Sequence, residues 1–157
     1  TIIEGGTGSA SEDPFQPRFT PDRFECGTIN TAGAIALGAG AAFVNGKTTS
    51  TILRHELDMC IHFCEGLRKQ KNVTLYTDIT PYNAARHAPV VSFSTDTANA
   101  LGKLGLCLRG GMHCAPLAHK KLGTSDRGTV RFSPSVFTTD NEVAMLLKAI
   151  PQIAAMH

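Results

Sequence analysis

The sequence predicts an α+β domain in which helices pack on one face of a small, mainly antiparallel sheet. Three observations carry that expectation. Apolar residues keep a 3.6-residue period over 48–69 and then change to short alternating runs from residue 73 onward. Those runs, at 73–77, 89–94, 105–110 and 128–134, have the length of strands. The C-terminal stretch opens on Thr139 and Glu142, three apart, ahead of the apolar VAMLLKAI, which is a capping-box signature.

Each element has its own reason. Residues 5–31 are rich in Gly, Pro and scattered polar residues, so they read as loop. Residues 31–46 are rich in Ala and other small residues and close on Asn45-Gly46, which predicts a tightly packed, buried helix. The second helix, 48–69, carries the stripe Ile52, Leu53, Leu57, Cys60, Ile61, Cys64 and Leu67, with Arg68 and Lys71 supplying positive charge at its C-terminal end. A short helix is expected over 97–104. The segment between 110 and 128 reads as loop.

Composition bounds the function. The chain has 157 residues, 42% hydrophobic and 18% charged, no Trp, and a net charge of +2. That is one domain's worth of chain with enough residues to bury a core. The charge balance argues against a nucleic-acid partner. Five cysteines at irregular spacing argue against a disulfide framework and for reduced thiols in the cytoplasm. The longest apolar run, 34–44, is too short and glycine-rich to span a bilayer, and no signal peptide is visible. The chain opens on Thr1 and an apolar pair, like the end of a strand inside a longer protein.

Chemistry concentrates in RGGMHCAPLAH, residues 109–119. The thiolate is the reactive form of cysteine, and Arg109, His113 and His119 are cationic or potentially cationic neighbours of Cys114. Gly110, Gly111 and Pro116 fit a tight exposed loop. The other reading is a small buried cysteine; the residues alone leave both open. Cys26, Cys60, Cys64 and Cys107 read as structural, because no second organised pair of soft ligands accompanies them. HELDM, 55–59, lacks the second histidine of a zinc-protease helix. Gly27, Thr28 and Asn30 precede a helix and fit either an anion site or an ordinary cap by Asn30 or Thr31; the residues alone favour the cap. Arg131, between Val130 and Phe132, faces solvent or reaches into a site to grip a carboxylate. His119-Lys120 has the form of a Schiff-base dipeptide, but Lys121 follows directly, as in a solvated turn.

Taken in order and spacing, GGTGS (5–9), Gln16-Pro17, PDRFECGTINT (21–31), RGGMHCAPLAH and GTVRFSPSVFTT (128–139) resemble the class V aminotransferase-fold enzymes. Within them the chain is similar to the cysteine desulfurases with a short R-x-G-x-H-C loop, and to selenocysteine lyases. The resemblance covers essentially the whole chain but only the C-terminal part of such an enzyme. It implies that 1–45 is the end of the large, pyridoxal phosphate (PLP)-binding domain with its connecting helix, and that 46–157 is the small domain. It implies a homodimer using PLP as electron sink, with the Schiff-base lysine outside this chain and the chain alone inactive. It assigns Cys114 as the persulfide-forming nucleophile and Arg131 as the grip on the substrate carboxylate. Thr28, with Gly27, would reach the PLP phosphate of the neighbouring protomer. Arg109 and His113 would shape the cysteine environment, and His119-Lys120 would be a decoy. The implied activity moves sulfur from L-cysteine, or selenium from selenocysteine, to Cys114 and on to an acceptor protein, releasing alanine. The alternatives are an aminotransferase or lyase that does not use Cys114, and a non-catalytic dimerisation or docking module.

Overall fold

The computed structural model describes residues 6, 8, 12–25, 27–71, 73–94 and 98–154. Cys26 and most of the stretch 5–9 lie outside the described residues, as do 95–97. The chain divides into two units, Thr1–Gly46 and Lys47–His157.

The first unit holds the loop and a helix, α1 (Thr31–Lys47). Asn30 caps α1: its side-chain oxygen accepts from the Gly33 amide at 2.9 Å, and its carbonyl accepts from Ala34. Asn45-Gly46 does not end the helix, which runs on to Lys47. Nor is α1 buried: Ile35 and Leu37 are 69% and 76% exposed, and no described residue of α1 is buried. Its apolar residues lie around the whole circumference, so it has no single stripe for one partner to cover.

The second unit contains the core. α2 (Thr49–Leu67) starts at Thr48, which sits at φ 65° and accepts from the Thr51 amide. It buries Met59, Cys60, Phe63, Cys64 and Leu67. That stripe is rotated from the expected one: Leu53 is exposed and Phe63 is central. The Phe63 ring lies 4.5 Å from that of Phe132 and 5.4 Å from that of Phe93, so helix and sheet lock together through three aromatics. The sheet comprises β1 (Val91–Phe93), β2 (Arg109–Gly111) and β3 (Thr129–Phe132) in the order β1-β3-β2, with both pairings antiparallel. The expected α+β layer is present, with α5 (Asp140–Ala154) packed beside α2 and contributing Val143, Leu146, Ala149, Ile150 and Ile153 to the core.

Three expectations change. Residues 73–77 make one bridge, Leu75 to Phe93, and not a strand. The amides of Tyr76 and Thr77 both donate to the Ser92 carbonyl, and this breaks the ladder. Residues 105–108 are not strand either. They close α3 (Ala98–Lys103): Gly105, at φ 77°, donates to Gly102, and Leu106 donates back to Leu101. That is the hydrogen-bond pattern of a Schellman cap, so Gly105 is a helix terminator. The segment between β2 and β3 is not all loop, because it contains α4 (Pro116–Leu122). Pro116 is pre-set for the first helical turn and Gly123, at φ 69°, closes the last one.

The capping box of α5 forms in full. The Thr139 amide and hydroxyl both donate to Glu142 Oε2, at 2.8 and 2.9 Å, and the Glu142 amide donates to Thr139 Oγ1. These bonds, led by the one from the Thr139 backbone amide, hold the Glu142 carboxyl below its ordinary value.

Candidate active site

The site is built on the sheet face away from α2. Val130 and Phe132 point into the core, so alternation along β3 puts Thr129 and Arg131 on the other face. Antiparallel pairing sets Ser92 of β1 and Arg109 of β2 directly opposite Arg131. A serine and two arginines therefore form one row across three strands. Two like charges at opposed positions cost stability, and an anion between them would offset that cost. Arg131 is half-buried, and its Nε has no hydrogen-bond partner among the described residues. A buried donor without a partner costs about 1–3 kcal/mol, and a carboxylate would satisfy it. Arg131 is thus partly buried on this face, with its Nε unpaired among the described residues.

β2 ends at Gly111 (φ 114°), and β3 begins after Gly128 (φ 71°). The two glycine backbones touch: a Cβ on Gly128 would stand 2.5 Å from both the carbonyl carbon and the carbonyl oxygen of Gly111. This contact pinches the base of the 112–128 excursion. At its start His113 and Cys114 both adopt left-handed backbone, at φ 50° and 57°, which is uncommon for residues with side chains. The strained pair is held from two sides. Ala115 donates to Met112, closing the turn, and His113 Nε2–H donates to the Thr129 carbonyl at 3.0 Å. The result leaves Cys114 exposed on the turn.

His113 Nδ1 then carries a lone pair and has no partner among the described residues. Burial pushes the His113 imidazole below its ordinary value of 6.5; the Thr129 carbonyl opposes this, and Arg131, Arg109 and His119 reinforce it. Below 6.5 the unfolded chain therefore binds more protons than the folded one. Stability is full above that value and falls as the pH drops through 6.5 toward the folded value. Thermal unfolding measured over this window should show that slope, and His113→Gln, which keeps a donor but does not titrate, should flatten it.

Sequence reasoning missed a supporting pair. His119 is 4% exposed; its Nδ1 lies 2.7 Å from Thr124 Oγ1, and its ring centroid is 6.0 Å from that of His113. His119 thus anchors α4 beneath the cysteine turn. Pro116 followed seven residues later by Gly123 was the available signal for that helix. Lys120, next to His119, stands exposed on α4. Borohydride reduction of the chain with PLP, followed by peptide mapping, should therefore give no stoichiometric adduct on Lys120.

Among the other cysteines, Cys60 and Cys64 are buried. Burial pushes the Cys60 thiol up to about 12, which makes it inert. Cys107 is exposed, contrary to a structural role, because the α3 cap leaves residues 105–108 running outside the sheet. His55 of HELDM donates from Nε2 to the Thr138 carbonyl. Among the described residues no group of three potential metal ligands occurs. Nor, among them, is any helix long and apolar enough to cross a membrane.

Gly27 and Thr28 belong to the first unit. Gly27, at φ 71°, donates its amide to the Gly6 carbonyl at 2.7 Å, and a Cβ on Gly8 would meet the Gly27 carbonyl oxygen at 2.9 Å. Two glycine segments are thus in backbone contact, and the exposed Thr28 follows, just before the Asn30 cap. The turn thus carries an exposed hydroxyl just before a helix start whose Gly33 amide Asn30 already caps.

The model of the family described as aminotransferase class-V matches residues 4–146. The chain belongs to the aminotransferase class-V family. Among family members, a probable cysteine desulfurase of Methanothermobacter thermautotrophicus is 32% identical over 99% of this chain and 40% of that protein. A probable cysteine desulfurase of Pyrococcus abyssi is 33% identical over 85% of this chain and 33% of that protein. The apo structure of the cysteine desulfurase of Thermococcus onnurineus NA1 superposes with a TM-score of 0.71 at 35% identity, covering 87% of this chain and 34% of that one. The chain thus spans about a third of the length of the relatives it matches.

Proposed function

We propose that this chain supplies the sulfur-accepting small domain of a PLP-dependent cysteine desulfurase, with Cys114 as the nucleophile. One observation carries the reading: an exposed cysteine held in left-handed backbone on a pinched turn that follows β2, the strand that pairs Arg109 with Arg131. The similarity to cysteine desulfurases over most of the chain supports it.

In this reading Arg131 takes the L-cysteine carboxylate through its free Nε edge, and Arg109 adds positive charge from the neighbouring strand. The carboxylate then fixes the substrate sulfur relative to Cys114. The Cys114 thiolate attacks that sulfur. A sulfur–sulfur bond forms, the substrate Cβ–Sγ bond breaks with its electron pair passing to the carbon fragment, and the fragment gains a proton to leave as alanine. Cys114 is left as a persulfide, to be passed to an acceptor protein. PLP, when bound, supplies the electron sink. Gly27 and Thr28 would hold its phosphate, from the neighbouring protomer of a homodimer. Residues 1–45 are then the end of the large domain and 46–157 the small one. The free thiols Cys60, Cys64, Cys107 and Cys114 support a reducing, cytoplasmic setting. Selenocysteine, differing by one atom, is the alternative substrate.

Cys114→Ser in the whole enzyme should abolish persulfide and alanine formation from L-cysteine, a loss of at least about a thousandfold. Cys107→Ser should leave turnover intact. Undiminished turnover by the Cys114→Ser enzyme would refute the assignment and favour an aminotransferase or lyase reaction.

A further inference from the structure

Charge is distributed unevenly along the chain. Residues 109–131 hold five Lys and Arg residues against one acid, Asp126, for a net +4; the remainder holds ten against twelve, for a net −2. Three of the five cations, Lys120, Lys121 and Arg127, lie on the excursion that begins with Cys114 and closes at the Gly111–Gly128 contact. All three are exposed, and none forms an ion pair among the described residues. On α4, Leu117, Lys120 and Lys121 share one face at the i, i+3 and i+4 positions, and His119 anchors the opposite side. Leu117 is 82% exposed, an apolar side chain standing among cations three residues from the nucleophile.

We propose that this face of α4, with Arg127, is the docking surface for an acidic protein segment, and that this segment belongs to the acceptor that takes sulfur from Cys114. The proposal rests on the function assigned above. Charge complementarity selects the partner: exposed, unpaired cations on the same excursion as the nucleophile raise the local concentration of an anionic surface and speed encounter. Leu117 provides the desolvated anchor such an interface needs at its centre. A single-stranded nucleic acid is the weaker match, because 109–131 contains no Phe, Tyr or Trp on which bases could stack.

The test has two arms. In the first, a fluorescent Glu-rich peptide containing one leucine is titrated into the Cys114→Ser protein, so that binding is read without reactivity. Binding should appear at low salt, weaken steeply as salt rises, and fall about tenfold or more with Lys120→Glu, Lys121→Glu and Arg127→Glu together. In the second, the same peptide carries a cysteine blocked by thionitrobenzoate, and the protein keeps Cys114 with Cys26 and Cys107 changed to Ser. The Cys114 thiolate attacks the peptide sulfur, the new disulfide forms, and thionitrobenzoate leaves as the coloured anion with the electron pair. The acidic peptide should react about tenfold faster than its Gln-for-Glu counterpart at low salt, and the charge-reversed protein should lose the difference.

Equal binding and equal rates for the two peptides would overturn the proposal. So would tighter binding of an oligoribonucleotide that is lost with the same three substitutions. Failure of the catalytic reading itself shows separately, as turnover retained by the Cys114→Ser enzyme.

Discussion

Gly128→Ala is expected to unseat the cysteine turn and to destabilise the second unit by about 2–4 kcal/mol. Two costs combine. A side chain at φ 71° costs about 1–2 kcal/mol in itself. The new methyl would also lie 2.5 Å from the Gly111 carbonyl group and 2.8 Å from its Cα. Those are backbone atoms of a paired strand and cannot rotate aside. Gly123→Ala is the control: its φ is 69°, but nothing lies within 4 Å of the place its methyl would take, so only the conformational cost applies. Urea unfolding of both variants should separate the two contributions. In the whole enzyme, Gly128→Ala should also lower turnover, because the pinch holds His113 against the Thr129 carbonyl.

Gln70→Leu is expected to cost about 1–3 kcal/mol, and Pro151→Ala should remove most of that cost. Pro151 lies inside α5 and has no amide hydrogen, so the carbonyl of Leu147, four residues earlier, loses its helical donor. Gln70, in the turn after α2, donates its Nε2 to that carbonyl at 2.9 Å. A side chain from one helix end thus mends the ladder of the helix packed beside it, where Gly66 of α2 also allows Leu147 to approach closely. Leucine at 70 leaves the carbonyl partly buried and without its donor. Alanine at 151 restores the missing amide, so the double variant should be far less destabilised than Gln70→Leu alone. A double-mutant cycle from urea midpoints should give a coupling of about 1 kcal/mol or more. Additivity would show that the bond contributes nothing.

Much of the fold is legible in the residues. The capping box at Thr139 and Glu142 is local chemistry, complete within four residues, and it forms in full. The change of period after α2 announces the sheet, and the α+β layer follows from it. What the residues do not reveal depends on contacts distant in sequence. They leave Cys114 open between exposed and buried, because its exposure is enforced by the Thr129 carbonyl and the Gly111–Gly128 contact, across the whole excursion. Arg131 is ambiguous in sequence because only the register with Arg109 and Ser92 tells which face it takes. Gly105 reads as part of a strand although it terminates a helix, since short apolar runs such as LCL serve either state. Pro116 reads as punctuation of a loop, yet its fixed φ starts a helix. The burial expected of α1 comes from composition, which measures how apolar a helix is but not what covers it.

The central claim is that sulfur passes through Cys114. The most direct test is peptide mass mapping of the whole enzyme after a single turnover with L-cysteine, quenched before any acceptor is added. The account predicts one extra sulfur atom on the peptide containing Cys114, in step with the alanine released, and none on the peptide containing Cys107. Alanine released with no added sulfur at Cys114, or with the sulfur on another cysteine, would contradict it.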